Sequence, residues 1–112
     1  MARTLFVVVR VHGPAWDDGR AMRDQDGWNG HAAFMDALAE EGFIVLGGVL
    51  GAGERALHVC DAPDEQAVRA RFDADPWTPA MLEIERVERW EVLLEHGGVG
   101  APASTQSQAT LT

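Results

Sequence analysis

The sequence contains no lysine and no tyrosine. Without lysine there is no Schiff-base chemistry and no lysine for a phosphate-binding P-loop, and without tyrosine there is no phenolic acid. One cysteine, Cys60, excludes an internal disulfide. The only serines, Ser104 and Ser107, lie in a stretch poor in bulky apolar groups, so a serine triad has no credible nucleophile. Positive charge is scarce as well: nine basic residues face 18 acidic ones, for a net charge of −9 and a pI near 4.7. Such a surface repels phosphate backbones and anionic lipid, so neither nucleic acid nor membrane is expected as a partner. No apolar run approaches the roughly 20 residues of a membrane-spanning helix. The run that opens at Leu5 is too short and too β-branched for a secretory signal, which makes the cytoplasm the expected location.

What is present suits one small globular domain. The chain has 112 residues, 46% of them hydrophobic, enough for a single core. Residues 1–95 read as the domain and 96–112 as a flexible tail, rich in Gly, Ala, Ser, Thr and Gln.

Thr4 to His12 is rich in β-branched residues and reads as a strand. Leu5, Val7, Val9 and Val11 share one wholly apolar face, which should meet the core. Phe6, Val8, Arg10 and His12 share the other, which turns polar along its length, as where a sheet meets a cleft or a second surface. Gly13-Pro14 ends the strand, and 15–27 is a loop flanked by Trp16 and Trp28; at that length it is a candidate lid. Asn29 or Asp26 can cap a helix over Gly30–Glu41 that Gly42 terminates. His31 falls in its first turn, beside the inward stripe of Phe34, Met35 and Leu38. A second strand, Phe43–Leu50, carries the pair Gly47-Gly48, where a ligand or another backbone can approach closely. A turn at Gly51–Gly53 leads into a third strand, Arg55–Cys60, whose Ala56, His58 and Cys60 share a face.

A second helix opens near Asp61 or Ala62, with Pro63 in its first turn, and runs to Phe72. Asp73-Ala74-Asp75-Pro76-Trp77 stops it. Proline forces Asp75 out of helical geometry and leaves its carboxylate at a helix end beside a large ring. Glu83–Leu94 reads as a long last strand, although Ile84, Val87 and Trp90 also fit a helical period. The order strand, helix, strand, strand, helix, strand is the ferredoxin-like α+β arrangement, βαββαβ, an antiparallel sheet with two helices on one face. Its other face is bare, so a homodimer is expected, with a second subunit taking up Phe6, Val8, Ile44 or Val45, and Trp90 or Val92.

The opening strand with Gly13-Pro14 and the His31 helix ending in Leu38-Ala39-Glu40-Glu41-Gly42 form part of a recognisable pattern. The Gly47-Gly48 strand, the Asp64-Glu65-Gln66-Ala67 helix and Asp73-Ala74-Asp75-Pro76-Trp77 complete it. Together they resemble the YCII-related (YciI-like) family, from about Leu5 to Trp90. The resemblance implies a dimeric α+β barrel of ferredoxin-like subunits, a small-molecule cleft on each, and an acid–base dyad at His31 and Asp75. The chain departs from the family pattern at Gly48-Val49, where Gly-Pro is usual. It has Trp28-Asn29-Gly30 where an arginine commonly precedes the histidine, and Trp77 where tyrosine usually follows Asp-Pro.

The dyad has a physical logic of its own, because a carboxylate on one ring nitrogen fixes the tautomer and frees the other as a base. Asp36 is a poorer partner, since five residues along a helix is a rotation of roughly 140°. Against this stands the plainer reading in which His31 packs at a helix start and Asp75 caps a turn. His58 could line the cleft or sit in an interface, and Trp16, Trp28 and Trp77 could wall a pocket or fill a core. Gly48 is the glycine taken to border the substrate. Cys60 reads as a buried, inert thiol, and His12 and His96 as solvated. No cofactor and no metal are expected, since no His or Cys pair has ligand spacing. The functions left open are cofactor-free isomerase- or lyase-type acid–base chemistry on a small organic molecule, a non-catalytic ligand-binding homodimer, and a cofactor-free monooxygenase on the same fold.

Overall fold

A computed structural model describes residues 3–97; the tail expected over 96–112 falls outside them from position 98 on. The elements run β1 (Arg3–His12), α1 (Trp28–Glu40), β2 (Ile44–Leu50), β3 (Arg55–Cys60), α2 (Glu65–Asp73) and β4 (Leu82–Val92), with a short 3-10 helix at Met22–Asp24. The four strands form one antiparallel sheet in the order β2-β3-β1-β4. This is the ferredoxin-like α+β fold, both helices lying on one face. The last element is a strand, and its helical alternative falls. Among the described residues no helix is long and apolar enough to cross a membrane.

The faces of β1 are the reverse of those expected from its sequence. Phe6, Val8 and Arg10 point to the helices, paired across the sheet with Cys60, His58 and Ala56 on β3. Phe6, Val8, Ile44 and Cys60 from the sheet pack with Leu38 of α1, Val68 and Phe72 of α2, and Phe43 to make the main core. Leu5, Val7, Val9 and Val11 lie on the open face, beside Val59 and Leu57 of β3 and Trp90 of β4. Both alternating sets are mostly apolar, so periodicity alone does not say which set meets the helices. The polar end of one set decides it, because Arg10 and His12 meet a carboxylate and an indole beneath the helices. On the open face Leu46 and Trp90 stay 58% and 44% exposed.

The helix caps also differ from expectation. Gly27, in left-handed geometry at φ 79°, precedes α1, and neither Asn29 nor Asp26 caps it through a side chain. A side chain at Gly27 would be strained by that φ, and its Cβ would lie 3.0 Å from the Trp77 indole nitrogen. Asp64, not Asp61 or Ala62, caps α2 by accepting from the Ala67 N–H at 2.8 Å, so Pro63 precedes the helix. A one-residue irregularity between Val9 and Arg10 in the pairing with β4 skips Glu85, so that Arg10 pairs with Ile84 and His12 with Leu82 at the start of β4.

Candidate functional site

The turn after α2 is built around the Asp75 side chain. Pro76 ends the helical hydrogen-bond pattern, and the Trp77 amide donates back to Asp75 Oδ1 at 2.9 Å. The carboxylate then accepts from His31 Nδ1, at 3.0 Å to Oδ1 and 2.9 Å to Oδ2. Arg10 Nη1 donates to Oδ2 at 3.0 Å, and its Nη2 donates to Thr78 Oγ1 at 2.6 Å. Arg10, His31 and Asp75 are all buried. Three elements, β1, α1 and the α2–β4 turn, thus meet on one carboxylate.

Burial alone would raise the Asp75 carboxyl. The hydrogen bonds from His31 and the Trp77 amide, with the charges of His31 and Arg10, outweigh burial and hold it below its ordinary value. Burial pushes the Arg10 guanidinium down, against the pull of Asp75. An ionised Asp75 can only accept, so His31 Nδ1 carries the proton. In the neutral form of the ring the other nitrogen, Nε2, carries the lone pair, and the side chain borders a cavity of about 710 Å³.

Tryptophans hold the imidazole from its faces. Trp77, buried, stacks on His31 with centroids 4.0 Å apart and planes 7° from parallel. Its indole N–H donates to the Asp26 carbonyl at 2.8 Å, which ties the ring to the loop 15–27. Trp28 lies 5.8 Å from both His31 and Trp77, and Trp16 meets Trp77 edge-on at 5.6 Å. Trp77, Met81 and Leu82 form a second, smaller buried cluster, with Trp16 and Trp28 packed against it. Loop 15–27 is fastened from within: Gln25, buried, accepts from the Asp17 N–H at 3.0 Å and donates to the Asp17 and Arg20 carbonyls at 2.7 and 2.9 Å.

His31, Trp16, Trp28, Trp77, Gly48 and His58 all border the cavity, and Asp75 stands behind His31. Two residues the sequence reading left aside also belong here. Arg10 was placed on a half-buried face that turns polar; its signal was a lone arginine alternating with Phe6 and Val8. His12, expected to be solvated, is half-buried, stacks on Trp16 at 3.9 Å and borders the cavity. The close approach expected at the glycine pair occurs at Gly47, where a Cβ would lie 2.9 Å from His58 Nδ1; at Gly48 it would meet nothing within 4 Å. Cys60 is buried, and burial pushes its thiol up to about 12, which removes the thiolate. Among the described residues no group of three or more His, Cys, Asp or Glu side chains could hold a metal ion.

No protein-family model matches this chain, and no curated protein matches its sequence. The chain is similar in structure to a 5-chloro-2-hydroxyhydroquinone dehydrochlorinase from Burkholderia phenoliruptrix, solved in complex with 2,5-dihydroxybenzoquinone. The TM-score is 0.53 at 22% identity, covering 83% of this chain and 95% of that one. At that identity, what the two share is the fold.

Proposed function

We propose that this chain is a YCII-related enzyme that carries out cofactor-free acid–base chemistry on a small ring compound, of the isomerase or lyase type. His31 is its base and then its acid, and Asp75 is the group that orients it. The observation that carries the reading is the pair of contacts from His31 Nδ1 to Asp75, made behind a tryptophan-walled cavity. With Nδ1 committed to the carboxylate, Nε2 takes a proton from the substrate. In an isomerisation it returns the proton at another atom; in an elimination a leaving group departs with its bonding electrons. The sequence pattern of the family supports this assignment. The shared fold with a dehydrochlorinase supports the elimination variant and a hydroxylated ring as substrate.

The test is chloride release from 5-chloro-2-hydroxyhydroquinone above the buffer rate, with His31→Gln lowering the rate by about 10²-fold or more. A wild-type rate equal to buffer, with the compound bound, favours the non-catalytic ligand-binding reading. The same proposal has a second copy of the chain covering the open face. The exposed Leu46 and Trp90 on that face support this. Sedimentation at micromolar concentration should give a dimer, and a clean monomer would count against it. The cytoplasm is the compartment in this reading.

A further inference from the structure

Among the described residues that border the cavity, His58 is the one whose side-chain nitrogens are buried without a partner. It is 8% exposed, and neither ring nitrogen has a hydrogen-bond partner. It lies on the helix face of β3, opposite Val8 and Gly47, with Phe72 5.3 Å from its ring. Burying a polar group unpaired is costly, and apolar side chains of similar size would fill the place without that cost. A ligand that supplies the missing partner removes the cost only when it is bound.

Three further observations narrow what that ligand is. First, burial and the nearby charges of Arg10 and His31 push His58 down to about 4, against a smaller opposing pull from Asp75. The ring is therefore neutral, with one N–H to give and one lone pair to accept. Second, Gly47 has no side chain to stand beside Nδ1. A Cβ there would lie 2.9 Å from that nitrogen and 3.6 Å from Ile44 Cγ2, and Gly47, Ile44 and His58 all border the cavity. Third, the cavity offers an anion little. Its two bordering arginines are already paired, Arg20 with Asp17 and Asp26 and Arg55 with Glu85, while Asp18, Asp36 and Glu54 border it as well.

We infer that His58, its ring nitrogens unpartnered beside the bare backbone of Gly47, is a hydrogen-bonding subsite that selects substrates carrying a neutral hydroxyl on a flat ring, bound between it and His31. This rests on the proposed function only for the ring's other end, at His31. A hydroxyl answers either nitrogen of a neutral imidazole, and the tryptophan walls favour a planar body.

Hydroquinone and 4-methoxyphenol are the probes, with tryptophan fluorescence giving Kd and 15N NMR reading the His58 ring nitrogens. Hydroquinone should bind the wild type about 3- to 10-fold more tightly than the mono-methyl ether, the worth of one neutral hydrogen bond, and should move the His58 15N shifts. His58→Phe and Gly47→Ala should each remove that preference. The first removes unpaired polar atoms without leaving a void, so its Tm should not fall; the second leaves the histidine in place and fills the space beside it. The subsite is overturned if both variants keep the wild-type ratio, if hydroquinone binds with His58 shifts unmoved, or if hydroquinone does not bind. Loss of chloride release in His31→Gln with an unchanged ratio in His58→Phe refutes the subsite and spares the dyad. Collapse of the ratio in His58→Phe, with a wild type that shows no turnover, does the reverse.

Discussion

Two buried histidines border the same cavity, and their surroundings are opposites. At the His31 end Asp75 takes up Nδ1, and its carboxylate also accepts from the Trp77 amide and Arg10. At the His58 end both ring nitrogens lack a partner. The first end is built before any ligand arrives, as a group that must be aimed at a reacting atom requires. The second is left incomplete, as suits a place where the partner is to come from the ligand. A polar group buried beside a cavity is informative in both cases. The paired one points to orientation, the unpaired one to recognition.

Removing the carboxylate should produce the largest change. Asp75→Ala strands Arg10 and His31 in the interior, and urea unfolding should show a loss of about 3–5 kcal/mol, as for breaking a buried ion pair from one side. A loss below about 1 kcal/mol would mean that the His31 end is not the preassembled one.

Next comes pH, which separates the two ends. His58 has a folded value of about 4 against an ordinary 6.5. Between those values the unfolded chain binds a proton that the folded chain does not, so stability rises with pH. Its contribution is complete above 6.5 and lost as pH falls to 4, on the order of 3 kcal/mol. Asp75 is lowered from an ordinary 3.8, so its contribution is complete above that value and is lost as pH falls through the lower folded value. Denaturant midpoints from pH 7 to 4 should therefore slope in the wild type. The slope should flatten in His58→Phe and persist in His31→Gln.

A smaller effect is expected at Trp77→Phe. The indole N–H bond to the Asp26 carbonyl is lost and a buried ring shrinks, for about 1–3 kcal/mol by urea unfolding. The loop should become more open to proteolysis. Smallest is Arg69→Ala, which removes only a half-exposed pair with Glu65 within α2. It should cost roughly 0.3–0.5 kcal/mol and leave both histidines as they were.

Much of this contrast could be read from the sequence, and the part that could not has a physical cause. The proline turn placed Asp75 at a helix end, and the first turn of α1 placed His31 near the inward stripe; both are local rules. Arg10 was missed because its role depends on which face of β1 the helices cover. Two apolar sets, Phe6 and Val8 against Leu5 and Val7, leave that choice to tertiary packing. The cap at Gly27 was missed for a similar reason: Asp26 and Asn29 beside it carry the usual cap signal, whereas the left-handed glycine closes on an indole from a distant turn. Whether His58 had a partner could not be read from its strand at all, because burial without a hydrogen bond is a property of the folded surroundings.

The parallel stack of Trp77 on His31 has an optical consequence. A protonated imidazole in contact with an indole drains its excited state, whereas a neutral one does so far less. The emission of Trp77 is therefore tied to the charge on the imidazole beside it. Trp16 is stacked in the same way on His12, so replacing it with Phe isolates that signal. The protein carries its own indicator dye, built into the wall of the site it would report on.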